Sequence, residues 1–316
     1  MIDDLDTQMA TLKELVANKQ ASAEPGAAKS AVLSPEDRLN QRKVPYTVAV
    51  TSGKGGVGKT VATVNLALNF AKHGLKVLLI DADLGLANID VVLGLSPEHT
   101  IQDVLSGEMS LDEVAVEGPE GITVLPAASG VAELSNLDET QRLALMDHID
   151  RWNTDFDVVL VDTGAGISPN VRFFVLAVER IMVVATPDPA SVTDAYALMK
   201  VMFLNHRVTN FDLLVNQVQS REEALDVYRT LNKVLEQFLN IGLNFVGFIP
   251  QDPQLGQATR KQQAVTQLFP EAPASKAFAG LAGRLLKSWV HNRHDDGRLT
   301  FFWRKLLDDS GTTPNS

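Results

Sequence analysis

Cysteine is absent from the sequence, which excludes disulfides, thiolate metal sites, iron–sulfur clusters and a cysteine nucleophile. Long apolar runs are also absent, since none approaches the ~18–20 residues of a membrane-spanning helix. The acidic start, MIDDLDTQM, lacks the basic segment and apolar run of a signal peptide. We therefore expect a soluble, intracellular protein from a reducing compartment.

Basic residues and histidines are both sparse. The 28 Lys and Arg residues against 39 Asp and Glu give a formal net charge of −11. Nucleic-acid binding depends on clustered basic side chains that contact phosphates, so we expect no direct nucleic-acid partner. The 6 histidines suggest no metal site, and His291 and His294 are expected at the surface near a helix end.

Residues 45–296 show apolar runs that alternate with helical patterns. Hydrophobic residues make up 45% of the chain, enough for a sizeable core. This alternation predicts a single α/β domain with a doubly wound, mostly parallel sheet and helices on both faces. Predicted strands are Tyr46–Ser52, Lys76–Asp81, Ile122–Pro126, Asp157–Asp162, Ile181–Ala185, Phe211–Val215 and Asn244–Ile249, and predicted helices lie near 60–73, 138–152, 189–204, 221–239 and 275–291.

The most specific motif is the loop GKGGVGKT, between the first predicted strand and the first predicted helix. It fits G-x-x-x-x-G-K-[ST], the phosphate-binding loop of P-loop proteins. Backbone amides of the loop and the helix N-terminus would surround phosphate oxygens. Lys59 would reach the β- and γ-phosphates and Thr60 would ligate Mg²⁺. The predicted nucleotide-binding residues here are Gly53, Lys54, Gly55, Gly56, Val57, Gly58, Lys59 and Thr60.

A second metal-site residue is predicted at the end of the fourth strand. The run Val158–Asp162 is apolar and ends in an acid, as in a Walker B motif, so Asp162 is expected to hold Mg²⁺ through water. Gly164 and Gly166 follow directly. These glycines would let the segment move as switch II when a γ-phosphate is present.

The phosphate loop contains a second lysine, Lys54, and its sequence KGGVGKT closely resembles the deviant Walker A motif of the MinD/ParA class of P-loop ATPases. In that class the first lysine crosses the interface of an ATP-sandwiched dimer. The resemblance implies a homodimer with ATP, with Lys54 acting in trans, and it implies ATP, ADP and Mg²⁺ as ligands. It also implies that Asp83, in switch I, positions the attacking water, so that Lys54, Lys59 and Asp83 are the catalytic residues.

The resemblance implies further contacts around the nucleotide. Asp81, the first acid of the D-x-D pair, would support the metal through bound water or hold the loop, and a plain turn residue is the alternative. Asn216 and the segment Pro250-Gln251-Asp252 follow predicted strands where this family reads adenine, so Asn216, Pro250 and Asp252 are assigned to nucleotide binding. An Asn after a strand is otherwise often a turn residue.

Longer segments resemble the flagellar branch of the MinD-like ATPases, known as FlhG or FleN. They are DADLGLANIDVVLGL, VLPAASG, DTGAGIS, TDAYALMK and GFIPQD. Members of the branch control the number and placement of flagella, act with the signal-recognition-type GTPase FlhF, and in some bacteria with a flagellar transcriptional activator. The resemblance implies that role here, contacts with those partners or with flagellar switch proteins, and a peripheral position at the inner face of the cell membrane, with the cell pole as one option. A cell-division MinD and a nucleotide-switched binding platform with little hydrolysis stay open as alternatives.

The tail 297–316 contains apolar residues at i, i+3, i+4, i+7 and i+8, next to basic side chains. This pattern is typical of a helix at the interface of an anionic membrane, and it resembles the membrane-targeting helix of the family. A helix docked on its own domain is the alternative. The predicted lipid-facing residues are Leu299, Phe302, Trp303, Leu306 and Leu307.

Residues 1–16 show apolar residues at helical spacing, and residues 17–44 have the composition of a flexible linker. The first segment predicts a short amphipathic helix, with a frayed terminus as the alternative. FlhG proteins carry a D-Q-A-x-x-L-R motif that stimulates the partner GTPase. Gln8 and Leu12 match it and Lys13 stands for its Arg, so the resemblance implies a partner-binding motif there.

Overall fold

The computed structural model describes residues 45–84, 88–127, 137–152 and 155–291. Within these residues the chain forms one eight-stranded sheet. Its strands are β1 Tyr46–Ser52, β2 Val77–Ala82, β3 Val116–Glu117, β4 Thr123–Leu125, β5 Val158–Ala165, β6 Arg180–Ala185, β7 Phe211–Val218 and β8 Leu243–Pro250.

The strand order is β3-β4-β2-β5-β1-β6-β7-β8. All neighbouring strands are parallel except β3 and β4. Because β1 lies between β5 and β6, the order reverses at β1 and the carboxyl ends of these strands open a crevice there. The loop that follows β1 therefore starts in the place where open α/β sheets bind their ligands.

The described helices are α1 Lys59–Lys72, α2 Ile89–Leu93, α3 Ile101–Leu105, α4 Leu111–Val114, α5 Glu139–Arg151, α6 Pro169–Leu176, α7 Pro189–His206, α8 Arg221–Leu239, α9 Pro253–Arg260, α10 Val265–Leu268 and α11 Pro273–His291. They pack in two layers. Helices α1, α2 and α9 to α11 share one buried cluster with the sheet. Helices α3 to α8 share the other, so the sheet is covered on both faces.

Strand β5 shows why its sequence is apolar at successive positions. Val158 and Leu160 lie in the cluster on the α1 side, whereas Val159 and Val161 lie in the cluster on the α7 side. Successive side chains of a strand point to opposite faces, and both faces are covered here. The apolar run therefore ends only at Asp162, where the strand reaches the crevice.

The predicted fold class and every predicted strand and helix within 45–296 are confirmed, with ends that differ by a few residues. The predicted end of β5 at Asp162 was too early, because Thr163, Gly164 and Ala165 continue the strand. Strand β3 and six short helices, α2 to α4, α6, α9 and α10, were not predicted. A strand of two residues is too short to form an apolar run, and helices of four to eight residues are too short to show a helical period.

Several predictions fall outside the described residues: the N-terminal helix 1–16, the linker 17–44, the C-terminal tail 297–316, and His294. Among the described helices, none has the length and apolar content needed to cross a membrane.

Candidate nucleotide-binding site

The phosphate loop joins β1 to α1 at the centre of the sheet, and two of its glycines are required by close packing. A Cβ on Gly53 would lie 2.1 Å from the backbone carbonyl carbon of Asp194, so the backbone of α7 fills that space. Gly58 has φ +90°, and a Cβ there would lie 2.4 Å from Nδ2 of Asn216. The sequence pattern of the loop is therefore explained by its contacts with α7 and β7.

Lys59, at the first position of α1, is 8% exposed. Burial lowers the pKa of its ammonium group, and the charges of Asp162 and Asp83 oppose this shift. The structure thus places Lys59 near both acids, as expected for residues around one bound phosphate. Because little water surrounds this lysine, its electrostatic attraction to a bound phosphate is stronger than it would be in bulk water.

Asp162 lies deep in the crevice with one oxygen unused. Oδ1 accepts a hydrogen bond from Thr63 Oγ1 at 3.1 Å, and the hydroxyl of Thr60 also donates to this carboxylate. Oδ2 is buried and has no hydrogen-bond partner. Burial raises the pKa of Asp162 to about 6, whereas the hydrogen bonds from Thr60 and Thr63 and the charge of Lys59 act to lower it.

These groups fit Mg²⁺. The Thr60 hydroxyl and the unpaired Asp162 oxygen are hard oxygen donors, and Mg²⁺ is usually held by one or two such groups together with water and phosphate. No group of three or more His, Asp or Glu side chains suited to a metal occurs among the described residues. The protein groups would therefore hold Mg²⁺ jointly with phosphate oxygens.

Asp81, the neighbour of Asp162 in the β2–β5 register, accepts hydrogen bonds from backbone amides at both of its oxygens. Its Oδ1 accepts from the amide of Asp83 at 3.1 Å, and its Oδ2 accepts from the amides of Asn88 and Ile89 at 3.0 and 3.1 Å. Burial and the charge of Asp162 raise its pKa, and the three amides oppose this. Of the two predicted roles, this geometry favours loop holding over a metal contact.

Asp83 lies beside Gly164, a residue of the predicted switch II. A Cβ on Gly164 would lie 3.2 Å from Oδ1 of Asp83, so the absent side chain leaves room for this carboxylate. Burial raises the pKa of Asp83 and the charge of Lys59 opposes it. Gly166 has φ +86°, and its amide donates to the Ser52 carbonyl at 2.8 Å, which ties switch II to the end of β1.

Lys54 has a different environment from Lys59. Its side chain is 41% exposed, and Nζ lies 2.5 Å from Oδ2 of Asp188. The hydrogen bond with Asp188 raises the pKa of Lys54 and lowers that of Asp188. Asp188 is also the N-cap of α7, where it accepts from the Ala190 amide. Sequence reasoning missed Asp188, although an Asp before Pro189 at a helix start is a recognisable N-cap pattern.

The predicted adenine-reading residues lie at the ends of β7 and β8. Asn216 is buried and its side-chain amide contacts the phosphate loop, donating to the Val57 carbonyl at 2.8 Å. Pro250 ends β8 and pairs with Val218. Asp252 caps α9 and accepts from the amides of Gln254 and Ala274 at 2.9 and 3.0 Å. The structure brings Asn216 to the loop, whereas both carboxylate oxygens of Asp252 are already bonded.

A cavity of about 190 Å³ adjoins the loop. Its lining includes Gln217, which sequence reasoning missed and which has φ +59°. A larger cavity of about 330 Å³, lined by Trp152 and Phe156, contains no residue of the phosphate loop. Size alone therefore does not identify the site. The membrane residues predicted from Leu299 to Leu307 and the motif at Gln8, Leu12 and Lys13 lie outside the described residues.

Comparison with protein families matches residues 48–265 to the CobQ/CobB/MinD/ParA nucleotide-binding domain. The chain is similar to the antiactivator FleN of Pseudomonas aeruginosa, with 42% identity over 265 residues, or 84% of this chain and 94% of that protein. It is 33% identical over 279 residues to the flagellum site-determining protein YlxH of Helicobacter pylori, which covers 87% of this chain and 94% of the relative.

Solved structures show the same likeness. The MinC:MinD cell division protein complex of Aquifex aeolicus is 29% identical with a TM-score of 0.63, and covers 77% of this chain and 96% of that chain. The septum site-determining protein MinD complexed with Mg-ADP from Pyrococcus horikoshii is 25% identical with a TM-score of 0.65, and covers 79% of this chain and 100% of that chain.

Proposed function

The chain belongs to the MinD/ParA family of nucleotide-binding proteins and is a MinD-type ATPase, and from this membership we propose that ATP switches it between a cytoplasmic monomer and a membrane-attached homodimer that controls flagellar number and placement. Slow, Mg²⁺-dependent hydrolysis returns it to the ADP-bound or nucleotide-free monomer.

The observation that carries this proposal is the contrast between the two lysines of one loop. Lys59 is buried beside Asp162 and Asp83, so it is placed for the phosphates of its own nucleotide. Lys54 lies at the exposed rim. A cation there is free to reach a nucleotide in a facing subunit once it leaves Asp188. Two loops placed face to face would then share two nucleotides.

In the proposed mechanism, each residue near the phosphates has one task. Lys59 and the loop amides hold the β- and γ-phosphates, and Lys54 of the facing subunit adds charge as the terminal phosphate leaves. Thr60 and Asp162 would hold Mg²⁺, which would neutralise phosphate charge when bound. Asp83 accepts a hydrogen bond from the attacking water and orients it. Gly164 and Gly166 give the adjoining switch II freedom to follow the phosphate.

Membrane attachment follows from linkage. ATP shifts the monomer–dimer equilibrium only as far as it binds the dimer better. A dimer carries two copies of the tail 297–316, and two weak lipid-binding helices on one particle gain avidity. The apolar face Leu299, Phe302, Trp303, Leu306 and Leu307 would enter the interface of an anionic bilayer.

Two relatives support the flagellar assignment. YlxH is named a flagellum site-determining protein, and FleN belongs to the branch that the sequence resembles. FleN is named an antiactivator, which supports a transcriptional activator as one partner. The GTPase FlhF is the proposed partner of the N-terminal motif at Gln8, Leu12 and Lys13. The MinD of Synechocystis is 30% identical over 243 residues, which is a lower identity than that of FleN or YlxH. A cell-division role is therefore the second choice.

Light scattering with and without ATP and Mg²⁺ tests the proposal. The wild-type chain should be a monomer with ADP and a dimer with ATP, and Lys54→Ala should stay monomeric with ATP while still binding it. Lys233→Ala on the exposed face of α8 is the matched control and should dimerise normally. A wild-type chain that stays monomeric with saturating ATP, or a Lys54→Ala chain that dimerises fully, contradicts the proposal.

A further inference from the structure

The carboxyl end of β7 contains a bulge beside the phosphate loop. Val215 pairs with Phe248 and Val218 pairs with Pro250, so an advance of three residues along β7 corresponds to an advance of only two along β8. The irregularity includes Gln217, whose φ of +59° lies in the left-handed region that non-glycine residues seldom adopt. Bulges beside functional sites redirect a side chain, and strained backbone is retained where something depends on it.

The side chain at this bulge is Asn216, and both ends of its amide are bonded. Nδ2 donates to the Val57 carbonyl at 2.8 Å, and Oδ1 accepts from the Gln217 amide at 2.9 Å. Since the carbonyl needs a donor and the amide needs an acceptor, these two partners fix the orientation of the group. Asn216 is 5% exposed, so neither bond is readily replaced by water.

Gly58 is matched to this side chain. It is the N-cap of α1, it has no side chain with which to cap the helix, and a Cβ there would lie 2.4 Å from Nδ2 of Asn216. The amide therefore occupies the space that a side chain at position 58 would need. Two adjacent loop residues, Val57 and Gly58, thus contact one residue that lies 159 positions from Val57 in the sequence.

We propose that Asn216 is a positioning residue that holds the phosphate loop in its anion-binding shape before nucleotide arrives. This inference rests on the proposed function only in that the loop binds ATP. A loop held in its bound shape loses less conformational freedom on binding, which increases affinity. One N–H of Nδ2 and one lone pair of Oδ1 are left over, so the predicted adenine contact is compatible with this role. Base and phosphates would then be recognised through one side chain.

A ligand without a base separates the two roles. Tripolyphosphate with Mg²⁺ binds the loop but offers nothing for an adenine reader, so its affinity reports the loop alone. Asn216→Asp keeps the shape of the side chain and its acceptor for Gln217, but it places an oxygen against the Val57 carbonyl. We expect Asn216→Ala, which adds no charge, to bind tripolyphosphate about tenfold more weakly in calorimetry, as for loss of one buried hydrogen bond. Asn216→Asp should bind it more weakly still, because a carboxylate beside the loop also repels the ligand.

The matched control is Asn69→Asp. Asn69 is another buried Asn whose Nδ2 donates to a backbone carbonyl, that of Asn65, at 2.7 Å. It lies nine residues along α1 from Thr60, or about 13 Å. Loss of its bond should lower thermal stability to a similar extent and leave tripolyphosphate affinity unchanged. If the Asn69 variant lost as much affinity, the effect of the Asn216 variants would be explained by general destabilisation of the fold, and the proposal would be overturned.

Hydrogen–deuterium exchange of the nucleotide-free chain gives a second measure that needs no ligand. In the Asn216 variants the amides of residues 55–59 should exchange faster than in wild type, and those of the Asn69 variant should not. Unchanged exchange together with unchanged tripolyphosphate affinity overturns the proposal, even when ATP binding falls, because only the base contact is then lost. If the wild-type chain binds neither ATP nor tripolyphosphate, the proposed function fails and the exchange result alone decides this inference.

Discussion

The two ends of the sheet both bury charged groups, but they treat them differently. At the amino end, Arg180 donates to both oxygens of Asp212 at 2.7 to 2.9 Å, and Asn244 Nδ2 donates to the same carboxylate at 2.7 Å. At the carboxyl end, Asp162 keeps a buried oxygen without a partner. Burial shifts the pKa values of Lys59 and of the acids Asp81, Asp83 and Asp162 toward their neutral forms.

This difference separates stability from function. A buried carboxylate with all its oxygens bonded stabilises the fold around it, since the bonds offset its loss of water. A buried carboxylate with an unused oxygen destabilises the empty protein and awaits a ligand. The amino end therefore supports the sheet, and the carboxyl end keeps buried groups that the proposed nucleotide and Mg²⁺ would complete.

The largest expected effect is at the carboxyl end, on turnover. Asp83→Ala removes the carboxylate that we propose orients the attacking water, so the ATPase rate should fall by about 100-fold or more. The variant should still bind ATP and accumulate as an ATP-bound dimer. Phosphate release measures the rate and light scattering the dimer. A variant that hydrolyses ATP at the wild-type rate, or stays monomeric with ATP, contradicts the assigned role of Asp83.

The corresponding change at the amino end should affect stability alone. Arg180→Ala leaves Asp212, which is 4% exposed, with Asn244 as its remaining side-chain partner, and should lower the free energy of unfolding by about 3 kcal/mol. Urea unfolding measures this loss. Turnover per folded molecule should be unchanged at a temperature where the variant is folded. A selective loss of turnover would mean that the two ends are not separable.

Asp162→Asn reverses the sign of the stability change. The pKa of Asp162 in the fold is about 6, above its ordinary value of 3.8, so the folded state binds the proton more tightly than the unfolded state. Its contribution to stability is therefore lost as pH rises from about 4 to about 6, and above that range the buried charge destabilises the nucleotide-free chain. The variant lacks this charge and should be about 2 kcal/mol more stable at pH 7.5.

The measurement for Asp162→Asn is urea unfolding of the nucleotide-free chain at pH 4.5 and pH 7.5. The gain over wild type should be present at the higher pH and small at the lower one. The same variant should lose Mg²⁺-dependent ATP binding. Equal stability of the wild type and the variant at pH 7.5 would show that the charge of Asp162 does not destabilise the nucleotide-free protein.

Sequence predicted the crevice better than it predicted the contacts inside it. The run Val158–Asp162 predicts a strand covered on both faces and ending at the ligand edge, because burial on both sides leaves a continuous apolar run in the sequence. The pairing of Asp81 with three backbone amides leaves no such trace. Nor does the cis contact of Lys54 with Asp188, since the two residues lie 134 positions apart.

Asn216 illustrates the same limit. Its position after a strand, together with the family resemblance, was enough to assign it to nucleotide binding. Its bond to Val57 depends on a bulge at Gln217, and an exposed Gln in an apolar strand does not indicate a left-handed backbone. Long-range polar contacts are set by register and by local irregularities, which the sequence of one chain does not record.

The smallest expected effect is at the exposed rim of the phosphate loop. Lys54 is paired there, like the charges at the amino end, but its contact with Asp188 is exposed. Asp188→Asn keeps an N-cap side chain for α7 and removes the charge that holds Lys54 in cis. Exposed ion pairs are weak, so the ATP concentration for half-maximal dimerisation should fall only about two- to fivefold, and less in high salt. Asp226→Asn, which weakens the exposed Asp226–Arg229 pair on α8, is the matched control and should change nothing. If Asp188→Asn instead raised the ATP requirement, Asp188 would be part of the dimer contact, and the rim would belong with the functional end of the sheet.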